Sequence, residues 1–373
     1  MKPGKADAVS GVRCMLMRGG TSKGSFFLAD DLPSDPEERD ELVLRIMGSP
    51  DPRQIDGVGG AHPLTTKVAV VGPSADPRAE IDYLFLQPLV DRALVSDAQN
   101  CGNMLAAVGP FALERGLAHC SPAGDDGRVS IRIRMVNTDS IAVASFPVDE
   151  TGFPHYRGDT AISGVPGTAA AVRINFENVA GGSCGSLLPT GSLVDELDGV
   201  PCTLIDCGMP VVVMRAESLG LAGTENCAQL ETNPELGQRL ERIRLQAGPL
   251  MNLGHVADTT VPKLTLVAAP TSGGTVSTRT FIPHRCHDAI GVLGALSVAV
   301  AVLTDGSAVS AVRGPAELDD DGAVRCGLEH PTGVFATTLE LRGAGVDVDV
   351  VRAGIIRTAR KLMDGFVFPR EYP

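Results

Sequence analysis

Short apolar runs separated by turn residues dominate the chain. Segments 67–71, 81–86, 129–136, 141–146, 200–205, 211–215, 264–268, 275–282 and 334–341 are rich in Val, Ile, Leu and Thr and are bounded by turn-forming residues. Runs of that length and composition predict strands. Two stretches, 103–115 and 287–303, are longer, rich in Ala and Leu, and apolar on nearly every side, which predicts helices enclosed by other structure. Gly109 and Pro110 predict a bend in the first of them. Segments 227–245 and 351–363 are amphipathic and predict exterior helices with charged outer faces.

The order of these elements repeats. A strand opening Thr66-Lys67-Val68 precedes the first enclosed helix, and one opening Pro262-Lys263-Leu264 precedes the second. At 373 residues the chain exceeds what one core usually fills. The pattern therefore predicts an α+β chain of two similar halves, 1–183 and 184–373, each a mostly antiparallel, curled sheet around a central apolar helix. The run 364–373 carries apolar residues worth burying and is expected to return to the first half.

Composition narrows the partners. A hydrophobic share of 43% with 21% charged residues suits a globular chain. With no Trp, three Tyr and a net charge of −13, the chain offers neither a stacking platform nor attraction for nucleic acid. An anionic small molecule would also be repelled at long range, so a site for one must carry its own local positive field. No run of about 18 apolar residues exists and the N-terminal stretch lacks an apolar core, so a cytoplasmic protein without a membrane partner is expected. The nine Cys are scattered with no CxxC, which reads as free thiols in a reducing compartment. His284, Cys286 and His287 form the one close His/Cys group; with no second cluster, a metal site is not expected.

Four segments crowd polar groups in ways that plain turns do not need. The first, Arg18-Gly19-Gly20-Thr21-Ser22-Lys23-Gly24, lacks P-loop spacing, yet its amides, hydroxyls and Arg18 suit a carboxylate better than a bare glycine turn requires. Second comes the glycine-rich loop 56–66, which carries His62 and enters an apolar strand at Lys67. An amine in low-dielectric surroundings accepts a proton more readily, although a solvent-facing lysine is the plainer alternative. The third segment, Ser96-Asp97-Ala98-Gln99-Asn100-Cys101-Gly102-Asn103-Met104, opens the first enclosed helix, where the helix dipole favours a thiolate and free amides can bind an anion. A buried structural thiol is its competing reading. In the fourth, Arg279, His284, Arg285 and His287 lead into the second enclosed helix and can supply cationic charge; ordinary surface charge is the alternative.

Taken in order, MRGGTSKG, DGVGGAHPLTTKVAVV, QNCGNMLAAVGPFA, GSLLPTGSLVDELDG and PHRCHDAIGVLGA resemble, over almost the whole chain, the 4-oxalomesaconate tautomerases and 2-methylaconitate isomerases. That group has the diaminopimelate epimerase fold. PKLTLVAAP and FIPHRCHDAIGVLGA look most similar to the 4-oxalomesaconate isomerases of bacterial lignin-derived aromatic catabolism, in the 4,5-cleavage route through gallate and protocatechuate. The resemblance implies an isomerase that transposes a carbon–carbon double bond by proton abstraction and return, without cofactor. Lys67 matches the family's base and Cys101 its thiol, with Lys67 as base and Cys101 as acid the preferred direction and the reverse left open. Arg18, Gly19, Gly20, Thr21, Ser22, His62, Asn100, Gly102 and Asn103, with the four residues of the fourth segment, are expected to bind the substrate. Cys286 matches the second thiol of diaminopimelate epimerase, a pair that the isomerases do not generally use. Expected partners are a small polycarboxylate and, in assembly, a second copy of the chain. The alternatives are a 2-methylaconitate-type cis–trans isomerase or epimerase and, in a different class, a non-catalytic carboxylate-binding protein.

Overall fold

The computed structural model describes residues 11–98, 100–118, 127–318 and 322–371. The chain divides into two compact units, 1–174 together with 357–373, and 175–356. The first break therefore falls after residue 174, ahead of the expected one after 183, and the terminal segment is part of the first unit.

In the first unit β1 (Val12–Gly19), β2 (Ser22–Leu28), α1 (Pro36–Met47), β3 (Val68–Pro73), β4 (Ile81–Pro88), the short β5 (Val95–Ser96), α2 (Gly102–Glu114), β6 (Arg128–Met135) and β7 (Ser140–Pro147) follow in order, and β8 (Ala171–Glu177) lies at its boundary. β1 pairs antiparallel with β2, β2 parallel with β3, β3 antiparallel with β4, β4 parallel with β6, and β6 antiparallel with β7. The sheet encloses α2, whose residues from Met104 to Ala112 are all buried. Alternation along β2 sorts its two faces. Phe26 meets Phe111 of α2 at 5.6 Å between ring centroids, while Phe27 joins Val43, Ile46 and Met47 of α1 on the other side.

The second unit holds β9 (Asp195–Leu197), β10 (Val200–Asp206), β11 (Pro210–Arg215), α3 (Cys227–Glu231), α4 (Pro234–Leu250), β12 (Lys263–Ala268), β13 (Val276–Phe281), α5 (Val292–Leu303), β14 (Glu317–Leu318), β15 (Val324–His330) and β16 (Gly333–Arg342). Its pairings, β10–β11 antiparallel, β11–β12 parallel, β12–β13 antiparallel, β13–β15 parallel and β15–β16 antiparallel, repeat those of the first unit step for step. The repeat read from two lysine-headed strands is thus a repeat of topology, and the fold is α+β. A final strand, β17 (Asp349–Val367), pairs antiparallel with β16 over Asp349 to Ile355 and with β1 over Ala359 to Val367.

Three expectations need correction. Segment 351–363 is strand, not helix, because its β-branched residues find open strand edges at both ends of the run. The second enclosed helix begins at Val292, with Gly291 as its N-cap; residues 282–290 form a loop closed by a bridge between Phe281 and Cys286. Segment 227–245 is two helices: α3 ends at Glu231 with Thr232 as its C-cap, and Asn233 caps α4 by accepting from the Leu236 N–H. Among the described residues no helix is long and apolar enough to cross a membrane.

Candidate active site

The site is organised by one face of β4. Tyr83, Phe85 and Gln87 alternate onto that face, and each touches a residue singled out from the sequence. Tyr83 Oη donates to the Cys101 carbonyl at 3.3 Å, and burial holds its phenol well above the usual tyrosine range, hence neutral. The Phe85 ring lies under the Lys67 amine, 5.0 Å from its centroid. Gln87 Oε1 accepts from Lys67 Nζ at 2.7 Å. The amide of Gln87 can take only this orientation, because its Nε2 is surrounded by the carbonyls of Thr66 at 2.7 Å, Pro88 at 3.2 Å and Pro63 at 3.4 Å. Lys67 is 7% exposed. Four residues of strand span roughly 14 Å, and within that length β4 holds both the loop carrying the amine and the helix tip carrying the thiol.

β2 ties the same two segments together. Ser22 Oγ lies 4.0 Å from Cys101 Sγ, and the Ser25 N–H donates to the Lys67 carbonyl at 2.9 Å. Two glycines make the approach feasible. A side chain at Gly19 would collide with the Asn103 backbone, and one at Gly24 with the Lys67 carbonyl and the Met104 side chain. The glycine-rich hairpin is therefore built first for close packing against α2 and β3. Its amides are partly used inside the protein: Gly20 N–H donates to the Thr358 carbonyl at 2.8 Å, and Thr21 N–H reaches Asn103 Oδ1 at 3.5 Å.

Cys101 is the N-cap of α2, half-buried, and its side chain makes no capping hydrogen bond. The first-turn N–H groups of Gly102, Asn103 and Met104 have no acceptor within the helix, so they are available to an anion beside the thiol. Asn103 Oδ1 also accepts from Arg357 Nε at 3.2 Å, which leaves its Nδ2 as donor. Asn100 Nδ2 donates to Thr138 Oγ1 at 2.5 Å, and its Oδ1 is buried without a partner.

Two functional candidates escaped sequence reasoning. One is Gln87; the other is Arg357, 5% exposed, whose guanidinium burial pulls down to about 9. A guanidinium with that value is still charged at neutral pH, so Arg357 supplies a local positive field at the tip of α2. Arg18 is not on this face. Ser22 and Gly19, opposite one another in the hairpin, point to α2, so Arg18 and Lys23, the neighbouring pair, point away from it. His62 is exposed, its Nδ1 accepting the Leu64 N–H at 3.1 Å within the loop.

The fourth segment belongs to the second unit. Arg279 is 8% exposed and donates to the carbonyls of Glu225 at 2.5 Å and Thr278 at 2.8 Å. His284 lies 3.7 Å from Glu241, and Arg285 lies 3.6 Å from Glu231. His287 is half-buried, accepts the Ala289 N–H at Nδ1 over 2.8 Å, and is shifted toward the neutral form by burial. Burial, followed by the adjacent Cys227, pushes the Cys286 thiol up, which opposes a thiolate there. No three His, Cys, Asp or Glu side chains converge to hold a metal among the described residues.

The chain as a whole is similar to known proteins. The (4E)-oxalomesaconate Delta-isomerase of Novosphingobium sp. (strain KA1) is 54% identical over 355 residues, 95% of this chain and 96% of the relative. The 4-oxalomesaconate tautomerase of Pseudomonas putida is 53% identical over 356 residues, 95% of each chain. Among solved structures, a methylitaconate-delta-isomerase superposes with a TM-score of 0.83 at 31% identity, covering 96% of this chain and 95% of that one. A model of the PrpF protein family matches residues 10–370. An isomerase by its likeness to these named enzymes, the chain belongs to the PrpF protein family.

Proposed function

We propose that the protein is a 4-oxalomesaconate isomerase, a cytoplasmic enzyme of 4,5-cleavage aromatic catabolism that moves a carbon–carbon double bond by 1,3-proton transfer without a cofactor. The observation that carries this reading is the shared face of β4, which holds a buried amine at one end and a helix-tip thiol at the other, in a chain more than half identical to named 4-oxalomesaconate enzymes. A hydrogen on a carbon conjugated with a carbonyl or carboxylate is acidified because the charge left behind spreads as a dienolate. Lys67 takes that proton and Cys101 returns one two atoms away, so the substrate loses one proton and gains one. Gln87 aims the amine, and Phe85 keeps water from its far side. The first amides of α2 and the charged Arg357 stabilise the dienolate oxygen as its charge develops.

The test is hydrogen exchange followed by NMR. Incubated with 4-oxalomesaconate in heavy water, the enzyme should shift the double bond and place deuterium at the carbon that gains a hydrogen. Deuterium at a stereocentre with no double-bond movement would sink the proposal. Lys67→Met and Cys101→Ser should each lower kcat by about 100-fold or more with circular dichroism and Tm unchanged; full activity in both variants would remove the assigned roles.

A further inference from the structure

We propose a second anion site in the first unit, on the face of the β1–β2 hairpin turned away from Cys101, that binds a small organic polyanion bearing two or more carboxylate or phosphate groups. Strand register sets up the site. Arg18 stands opposite Lys23 on β2 and opposite Arg360 on β17, so three cations sit side by side across three neighbouring strands. Like charges placed directly opposite destabilise a sheet, and burial followed by the neighbouring Arg360 lowers the Arg18 guanidinium.

Around this row lies a recess of about 670 Å³, lined also by Arg157, Lys361 and Thr358. No Asp or Glu lines it. Lys361 is already matched by Glu114. Arg18 is held in place by carbonyl and hydroxyl groups alone, those of Gly20 and Thr358. Lys23, Arg157 and Arg360 make no ion pair with a carboxylate among the described residues. Four positive charges thus line one recess with no carboxylate paired to them among the described residues, in a chain whose net charge is −13, and guanidinium forks suit carboxylate and phosphate oxygens. The remaining wall, segment 162–169 with Leu362, is largely apolar, which fits a carbon skeleton better than an inorganic ion.

The site does not depend on the roles given to Lys67 and Cys101, and its test does not require turnover. Citrate and inorganic pyrophosphate are titrated calorimetrically into the full-length protein and into the double variant Lys23→Thr/Arg360→Thr, and Tm is recorded with and without each anion. In the wild type, binding should weaken as salt rises and Tm should increase with anion. The double variant should bind the tighter of the two probes at least tenfold more weakly. Its Tm in anion-free buffer should be higher than that of the wild type, because the like-charge row has been relieved. A merely structural role for these cations would lower Tm instead. Unchanged affinity in the double variant, or a lower Tm without anion, overturns the proposal. Loss of turnover at saturating substrate in the double variant would overturn the claim that this site is separate from the candidate active site.

Discussion

Gln87 gives the amine of Lys67 one direction, because its own amide is fixed by three carbonyls. Gln87→Leu removes the acceptor at 2.7 Å and strands buried carbonyls, a loss of about 1–3 kcal/mol. Turnover should suffer beyond that: we expect kcat to fall at least tenfold with KM little changed, measured by Michaelis kinetics beside urea unfolding. Lys67 and Cys101 stood out in the sequence as candidates because each stands at the junction of a polar loop and an apolar element. Gln87 and Arg357 were not, since a glutamine inside a strand and an arginine far from every motif gain meaning only when strands bring them to the same face. Arg18 is turned from that face for a related reason. It adjoins Gly19 in the chain, but successive residues of a strand look in opposite directions.

Runs of β-branched residues between turn signals located the inner strands well, and Ala- and Leu-rich stretches located α2 and most of α5. Where tertiary pairing decides, the pattern failed. The stretch 351–363 has a charged and an apolar side at helical spacing, yet two strand edges claim it as β17. α1 was missed although its punctuation is present: Asp35 accepts from the Glu37 and Glu38 N–H groups, Pro36 occupies the first turn, and Gly48 closes the helix in the left-handed region. Its low overall hydrophobicity hid it. Asp35→Ala should cost about 1 kcal/mol, read as a lower urea midpoint with unchanged slope.

Stability of the whole molecule should carry a signature from the second unit. Burial, then Arg244, lowers the Lys263 amine from 10.5 to about 8. Below pH 8 the lysine is protonated folded and unfolded alike, and the folded state bears the full cost of a poorly solvated charge. Between about pH 8 and 10.5 only the unfolded chain keeps the proton, so this contribution makes stability rise with pH across that window. Lys263→Met should therefore stabilise the protein at pH 7 by on the order of 1 kcal/mol, after allowance for the half-exposed side chain, and the gain should shrink toward pH 10.5 in chemical denaturation. The first unit has a different dependence, on residues far along the chain: truncation after Ile356 removes both the partner strand of β1 and the Arg357 cation. The truncated protein should show a protease-sensitive first unit beside a resistant second one. Synthesis on the ribosome runs into the same constraint. The edge of β1 must wait, unpaired and open to mispairing, until the stretch 357–367 leaves the exit tunnel, so a nascent chain cannot complete its first unit before the whole of the second has been made.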